Sequence, residues 1–173
     1  MSTHLRLRAV PPPALRNSAT WLDRMFEDDS ETVRHHLDQE RIYAGPPPCH
    51  AEDRPRTHVV LGGRPVFRPD PHKPPLLVLT AAQTRRVAGF LATADFDALW
   101  LFARDALLPH YGGVTAEPET WGAFASTHRE LTAFYAQTAA CGNAVVKLLP
   151  EPRETQVTCA DVTAGGGRPV SGV

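Results

Sequence analysis

Apolar and polar side chains alternate at the start of the chain, with Leu5, Leu7 and Ala9 on one side and His4, Arg6 and Arg8 on the other. That period of two predicts a strand over residues 3–10 with one buried face. Pro11 to Pro13 stop the strand and suit the first turn of a helix. Its apolar stripe, Leu15, Ala19, Leu22, Met25 and Phe26, runs to about residue 28. A weaker helical pattern covers 31–43, where Val33, Leu37 and Ile42 form an apolar edge and His35, His36, Asp38 and Glu40 read as solvated.

Residues 45–75 hold nine of the chain's 17 prolines, which excludes long helices there. Val59-Val60-Leu61, then Gly62-Gly63 and Val66-Phe67, read as a strand and a turn, a short hairpin at a sheet edge where Pro65 is tolerated. Leu76-Leu77-Val78-Leu79 is continuous and apolar, as in a central strand covered on both faces. Thr80 and Gln83 have the spacing of a capping box. The helix that follows buries Val87, Phe90, Leu91 and Ala94 and turns Arg85 and Arg86 outward. Asp95 caps a second helix with the stripe Phe96, Leu99, Trp100, Ala103 and Leu107. Each large apolar group is worth roughly 1.5–3 kcal/mol when fully buried.

Pro109 and Gly112-Gly113 end that helix, and Pro118 opens a longer one whose inner face carries Trp121, Phe124, Leu131 and Tyr135. Gly142 stops it, and Ala144 to Leu149 form the last strand before Pro150. The expected architecture is a single α+β domain over 1–150, a small mixed sheet packed against four to five helices. Residues 151–173, rich in Gly and Thr with almost no bulky apolar group, read as a flexible tail.

Composition narrows the function classes. The chain has 173 residues, 42% apolar and 21% charged, which suits one globular core. A net charge of −1 removes the global field that would attract nucleic acid or an acidic membrane. The longest apolar run is far short of the ~20 residues that cross a bilayer. The N-terminus lacks the apolar centre of a signal peptide. Cys49, Cys141 and Cys159 are odd in number and form no CxxC pair, as expected of reduced thiols. The expected location is the cytoplasm.

Three stretches taken together resemble the YfbM-like family, bacterial proteins built on a domain of unknown function. They are Leu76 to Gln83, the Phe90-Leu91-Ala92-Thr93-Ala94-Asp95 junction, and Ala133-Phe134-Tyr135 running on to Gly142-Asn143-Ala144-Val145-Val146. The likeness covers 76–149, with a weaker echo in the first strand and helix. It implies an α+β fold with a small sheet against several helices, and it brings no assigned catalytic residue. The family's Gly-Tyr-Gly-Pro-like stretch is replaced here by Pro69 to Pro75, and its Asp-Lys-Ala-Trp-like motif by Asp38 to Ile42.

Candidate chemistry is densest at Cys49, His50, Glu52 and Asp53, with His58 and His72 downstream. Three readings stand for this cluster: a solvated loop, a metal site, or a thiol beside a base. His128 and Tyr135 lie on the inner face of the long helix, either packed at the core margin or lining a pocket. Arg54, Arg56, Arg64 and Arg68 with Lys73, against Asp70, give residues 54–73 a local charge of +4, an anion- or partner-docking candidate or a solvated loop. Asp23 to Glu31 is acidic and a possible complement, within the fold or between copies. The leading expectation is a non-catalytic binding or protein-interaction module whose partner is another protein. The alternative is a small hydrolase-like enzyme or metal-binding protein using the Cys49–His72 loop. No cofactor is implied, nucleic acid and membrane are disfavoured as partners, and the oligomeric state is left open.

Overall fold

The computed structural model describes residues 4–27, 30–45 and 54–151. Strand β1 (Leu5–Val10) leads through a 3-10 turn (Pro12–Arg16) into helix α1 (Ala19–Arg24) and a second turn (Met25–Glu27). Next come β2 (Glu31–Val33), α2 (His36–Ala44), a 3-10 turn (Pro55–His58), β3 (Arg64–Val66) and β4 (Leu76–Leu79). Three helices, α3 (Ala81–Thr93), α4 (Phe96–Leu107) and α5 (Glu117–Ala140), precede β5 (Ala144–Leu148).

The strands form one sheet in the order β2-β1-β5-β4-β3. All four pairings are antiparallel, so the α+β class stands but the sheet is not mixed. Parallel neighbours require a βαβ crossover. Here β4 reaches its neighbour β5 through three helices, and β1 pairs with β5 from the far end of the chain.

Both faces of the sheet are covered. Leu5, Leu7, Leu79 and Val145 pack with Val87, Leu91, Leu131 and Tyr135 on the side of α3 and α5. Val10, Leu76, Val78 and Val146 pack against Ala14, Leu22 and Phe26 on the other. β1 therefore departs from the expected single buried face. Its Arg6 and Arg8 donate to the backbone carbonyls of Phe26 and Met25, satisfying acceptors at the end of that helical layer. A third apolar cluster, with Trp100, Leu107 and Phe124, joins α4 to α5.

The capping box at Thr80 and Gln83 is present, as is the Asp95 cap. Three expectations change. The helix predicted over 31–43 is split, because Glu31–Val33 pairs with β1 and the helix restarts at His36. Trp121 is 38% exposed, while Thr120, Phe124, His128, Leu131 and Tyr135 make the buried face of α5. Its indole N–H donates instead to Asp97 at 3.0 Å. Val59 to Leu61 is not a strand; the edge hairpin is Arg64–Val66 paired with β4, with Pro65 in the outer strand.

The reason lies in Lys147, at the middle of β5 and fully buried. Its Nζ donates to the carbonyls of His58 (2.6 Å) and Gly62 (2.9 Å) and lies 3.4 Å from that of Val59. The Tyr135 hydroxyl donates to the Val59 carbonyl at 2.7 Å. These bonds occupy acceptors that a strand would have offered to a neighbour. Glu40, from α2, accepts from the Leu61 N–H at 3.1 Å and completes the tie. Burial pushes the Lys147 ammonium down to about 7, and the Glu40 carboxylate pulls the other way. Burial likewise raises the Glu40 carboxyl, against the Leu61 N–H.

Gly62 makes the approach possible, since a Cβ there would lie 2.0 Å from the Thr57 carbonyl oxygen. Gly62→Ala is expected to destabilise the fold by about 3 kcal/mol. Gly89→Ala, at an exposed α3 position with open space around it, should stabilise by roughly 0.5–1 kcal/mol. Chemical denaturation of both variants checks the contrast. Lys147→Met orphans buried carbonyls and should cost about 3 kcal/mol. Because the folded amine titrates below its ordinary 10.5, the unfolded chain holds more protons between the two values. Wild-type stability should therefore rise from pH 7 toward 10, a slope the variant lacks.

Candidate functional site

A cleft of about 640 Å³ opens between β2, the turn into α2 and the first half of α5. Glu31 and Thr32, consecutive in β2, both line it. Neighbouring strand residues point to opposite faces, so the cleft opens along the strand's edge. β2 ends the sheet, with no strand beyond it among the described residues. The opposite wall is α5, through Phe124, Thr127 and Glu130.

His35 stands where β2 turns into α2. It is the one non-glycine residue with positive φ (48°) among those described, a conformation disfavoured for L side chains. Its ring meets Tyr111 edge-on at 5.5 Å and Phe124 at 6.1 Å. The Tyr111 hydroxyl donates to Asp38 at 2.6 Å and lies 3.2 Å from His35 Nδ1. Burial first, then the Asp38 carboxylate, raise the phenol's pKa and keep it protonated. With that proton committed to Asp38, the phenol oxygen accepts from His35 Nδ1–H. The cleft presents an imidazole, hydroxyls, and charges of both signs from Arg34, Glu31 and Glu130.

The described residues among those singled out from the sequence do not converge. Cys49, His50, Glu52 and Asp53 lie outside the described residues. His58 is buried, its carbonyl held by Lys147. His72 is exposed in a turn, its N–H donating to Asp70 at 2.9 Å. Tyr135 is sealed in the core as a donor to Val59. His128 is also buried and belongs to a core network: the Gln39 amide donates to the Tyr43 oxygen at 3.0 Å, and Tyr43 faces His128 Nδ1 at 2.9 Å. Burial lowers the imidazole's pKa. Neutral His128 then accepts the Tyr43 proton at Nδ1.

The basic segment is dispersed as well. Arg68 is buried and pairs with Asp23 at 3.1 Å, also donating to the Pro74 carbonyl. One link between the basic and acidic segments therefore lies inside the fold. Arg54 immediately precedes the 3-10 turn, Arg64 is exposed on β3, and Arg56 lines a separate cleft beside α4. Among the described residues no group of three His, Cys, Asp or Glu is arranged to hold a metal ion. None of their helices is long and apolar enough to cross a membrane.

A family model described as a domain of unknown function, DUF1877, matches residues 15–147. The chain belongs to the DUF1877 family. The crystal structure of YfbM, a protein of unknown function from Escherichia coli, has a TM-score of 0.60 and 13% sequence identity to this chain, covering 84% of this chain and 99% of YfbM. At that identity the likeness speaks for the fold alone. Comparison with curated proteins finds no match. The resemblance read over 76–149 is borne out, and the DUF1877 match extends back to residue 15.

His35 gave no sign in the sequence, where Val33 just before it read as part of a helical edge. Tyr111 gave none, since it meets His35 and Asp38 only in three dimensions.

His128 sets a pH dependence for the DUF1877 core. Its folded pKa lies below 6.5, so the unfolded chain takes up a proton that the folded one resists. The His128 contribution to stability should be complete above pH 6.5 and fall as pH drops below it. His36, lowered mainly by burial, adds to the slope in the same direction. Denaturation at pH 7.5 and 5.5 should show a smaller loss for His128→Phe than for wild type.

Proposed function

We propose that this protein is a non-catalytic binding module that takes an extended polypeptide segment of a partner protein into the β2–α5 cleft. The observation that carries the reading is the opening of the cleft on the outer edge of a terminal strand, with a helix as its far wall. An extended segment laid there adds a strand to the sheet through backbone hydrogen bonds, while the cleft receives alternate side chains. The short length of β2 suits this role, because a long exposed edge invites indiscriminate pairing. Thr127, Glu130 and Arg34 supply polar contacts of mixed character rather than one dominant charge. A polar segment of low net charge is therefore the preferred occupant.

The His35–Tyr111–Asp38 set supports binding better than turnover. Its phenol is held protonated and its imidazole is anchored through Nδ1. The alternative of a hydrolase or metal protein acting through Cys49 to His72 rests mainly on residues outside the described part of the chain.

Selection from a random peptide library displayed against the full-length protein tests the reading. Selected peptides should lose binding by about tenfold or more when backbone N–H groups at alternate positions are methylated. Thr127→Arg, which fills the cleft, should have the same effect. Peptides that bind the Thr127→Arg protein as tightly as wild type would sink the proposal, as would a library that yields no binder.

A further inference from the structure

A second cleft, of about 390 Å³, lies between the C-terminal turn of α2 and α4. Its walls are mainly apolar, with Ile42, Leu99, Ala103 and Ala106 among them, and Phe102 stands on the lip at 92% exposure. Leu101 beside it is also exposed. Phe102 thus extends the apolar wall of the cleft out to its mouth.

Two guanidiniums, Arg41 and Arg56, complete the lining, and among the described residues no acidic side chain contributes to it. Neither makes an ion pair with a described residue. The C-terminal end of α2 carries an opposing partial charge of about half an electron. Two full positive charges outweigh it. The volume lies at the lower end of the roughly 300–1,000 Å³ typical of small-ligand pockets. Arg is also well suited to a carboxylate, which it grips through two parallel N–H donors.

We infer that this cleft binds a small amphipathic carboxylate of the medium-chain fatty-acid class. The chain lies against Leu99, Phe102 and Ala106, and the carboxylate sits between Arg41 and Arg56. The site is separate from the β2–α5 cleft and, among the described residues, shares no lining residue with it.

Calorimetry and amide-shift mapping with decanoate on the full-length protein test this. Saturable binding with a dissociation constant of about 0.1–1 mM is expected, with shifts centred on α4 and the end of α2. Decanol should bind at least about tenfold more weakly, and the double variant Arg41→Gln/Arg56→Gln should lose that preference. Ala106→Trp, at an exposed position, should block the cleft without disturbing the fold, as amide spectra would show. Equal affinity for decanol and decanoate in wild type would overturn the carboxylate assignment. Undiminished binding to a folded Ala106→Trp protein, or no saturable binding at all, would overturn the site.

Discussion

The buried Lys147 amine ties this fold together at the point where sheet, loop and helices meet. Lys147 sits at the centre of the middle strand, opposite Leu7 on one side and Leu77 on the other. A lysine so placed is tolerable only when its protons are satisfied, and the carbonyls of His58 and Gly62 do this. The dependence runs both ways: those carbonyls belong to a segment that has no ladder of its own. The side chain that would otherwise be the worst fault in the core becomes the peg on which residues 55–62 hang.

That segment is also the link between α2 and the rest of the domain. Glu40 reaches the Leu61 N–H, Tyr135 reaches Val59, and Gln39 with Tyr43 and His128 extends the polar layer toward α5. Such a network adds little net stability over an apolar one. It does set one arrangement of α2 against the sheet, because any slip strands several buried polar groups at once. The position of α2 in turn fixes both surface clefts, since His35 and Asp38 lie at its start and Arg41 to Gly45 at its end.

The interior is accordingly a scaffold, and the features that suit recognition are on its outside. His128 and Tyr135 are consumed by packing. Strain and opening occur together at His35, beside a terminal strand. Residues held in unfavourable backbone conformations collect where surrounding structure over-determines them. Here Tyr111 and Phe124 supply that constraint from elements far away in the chain.

Periodicity and local chemistry alone determined the helices α3, α4 and α5, the Thr80 and Asp95 caps, and the strands β1, β4 and β5, because each is specified by side chains within one or two turns of one another. Tertiary structure decided the rest. Thr32 and Val33 became a strand because β1 had a free edge, and Val59 to Leu61 failed to become one because Lys147 and Tyr135 took its carbonyls. The antiparallel order of the sheet, the pairing of Arg68 with Asp23 and the meeting of His35 with Tyr111 join residues 45 to 76 or more positions apart in sequence, or strands at opposite ends of the chain. No local pattern encodes such contacts, since their energy exists only after the chain has folded and water has been excluded between them.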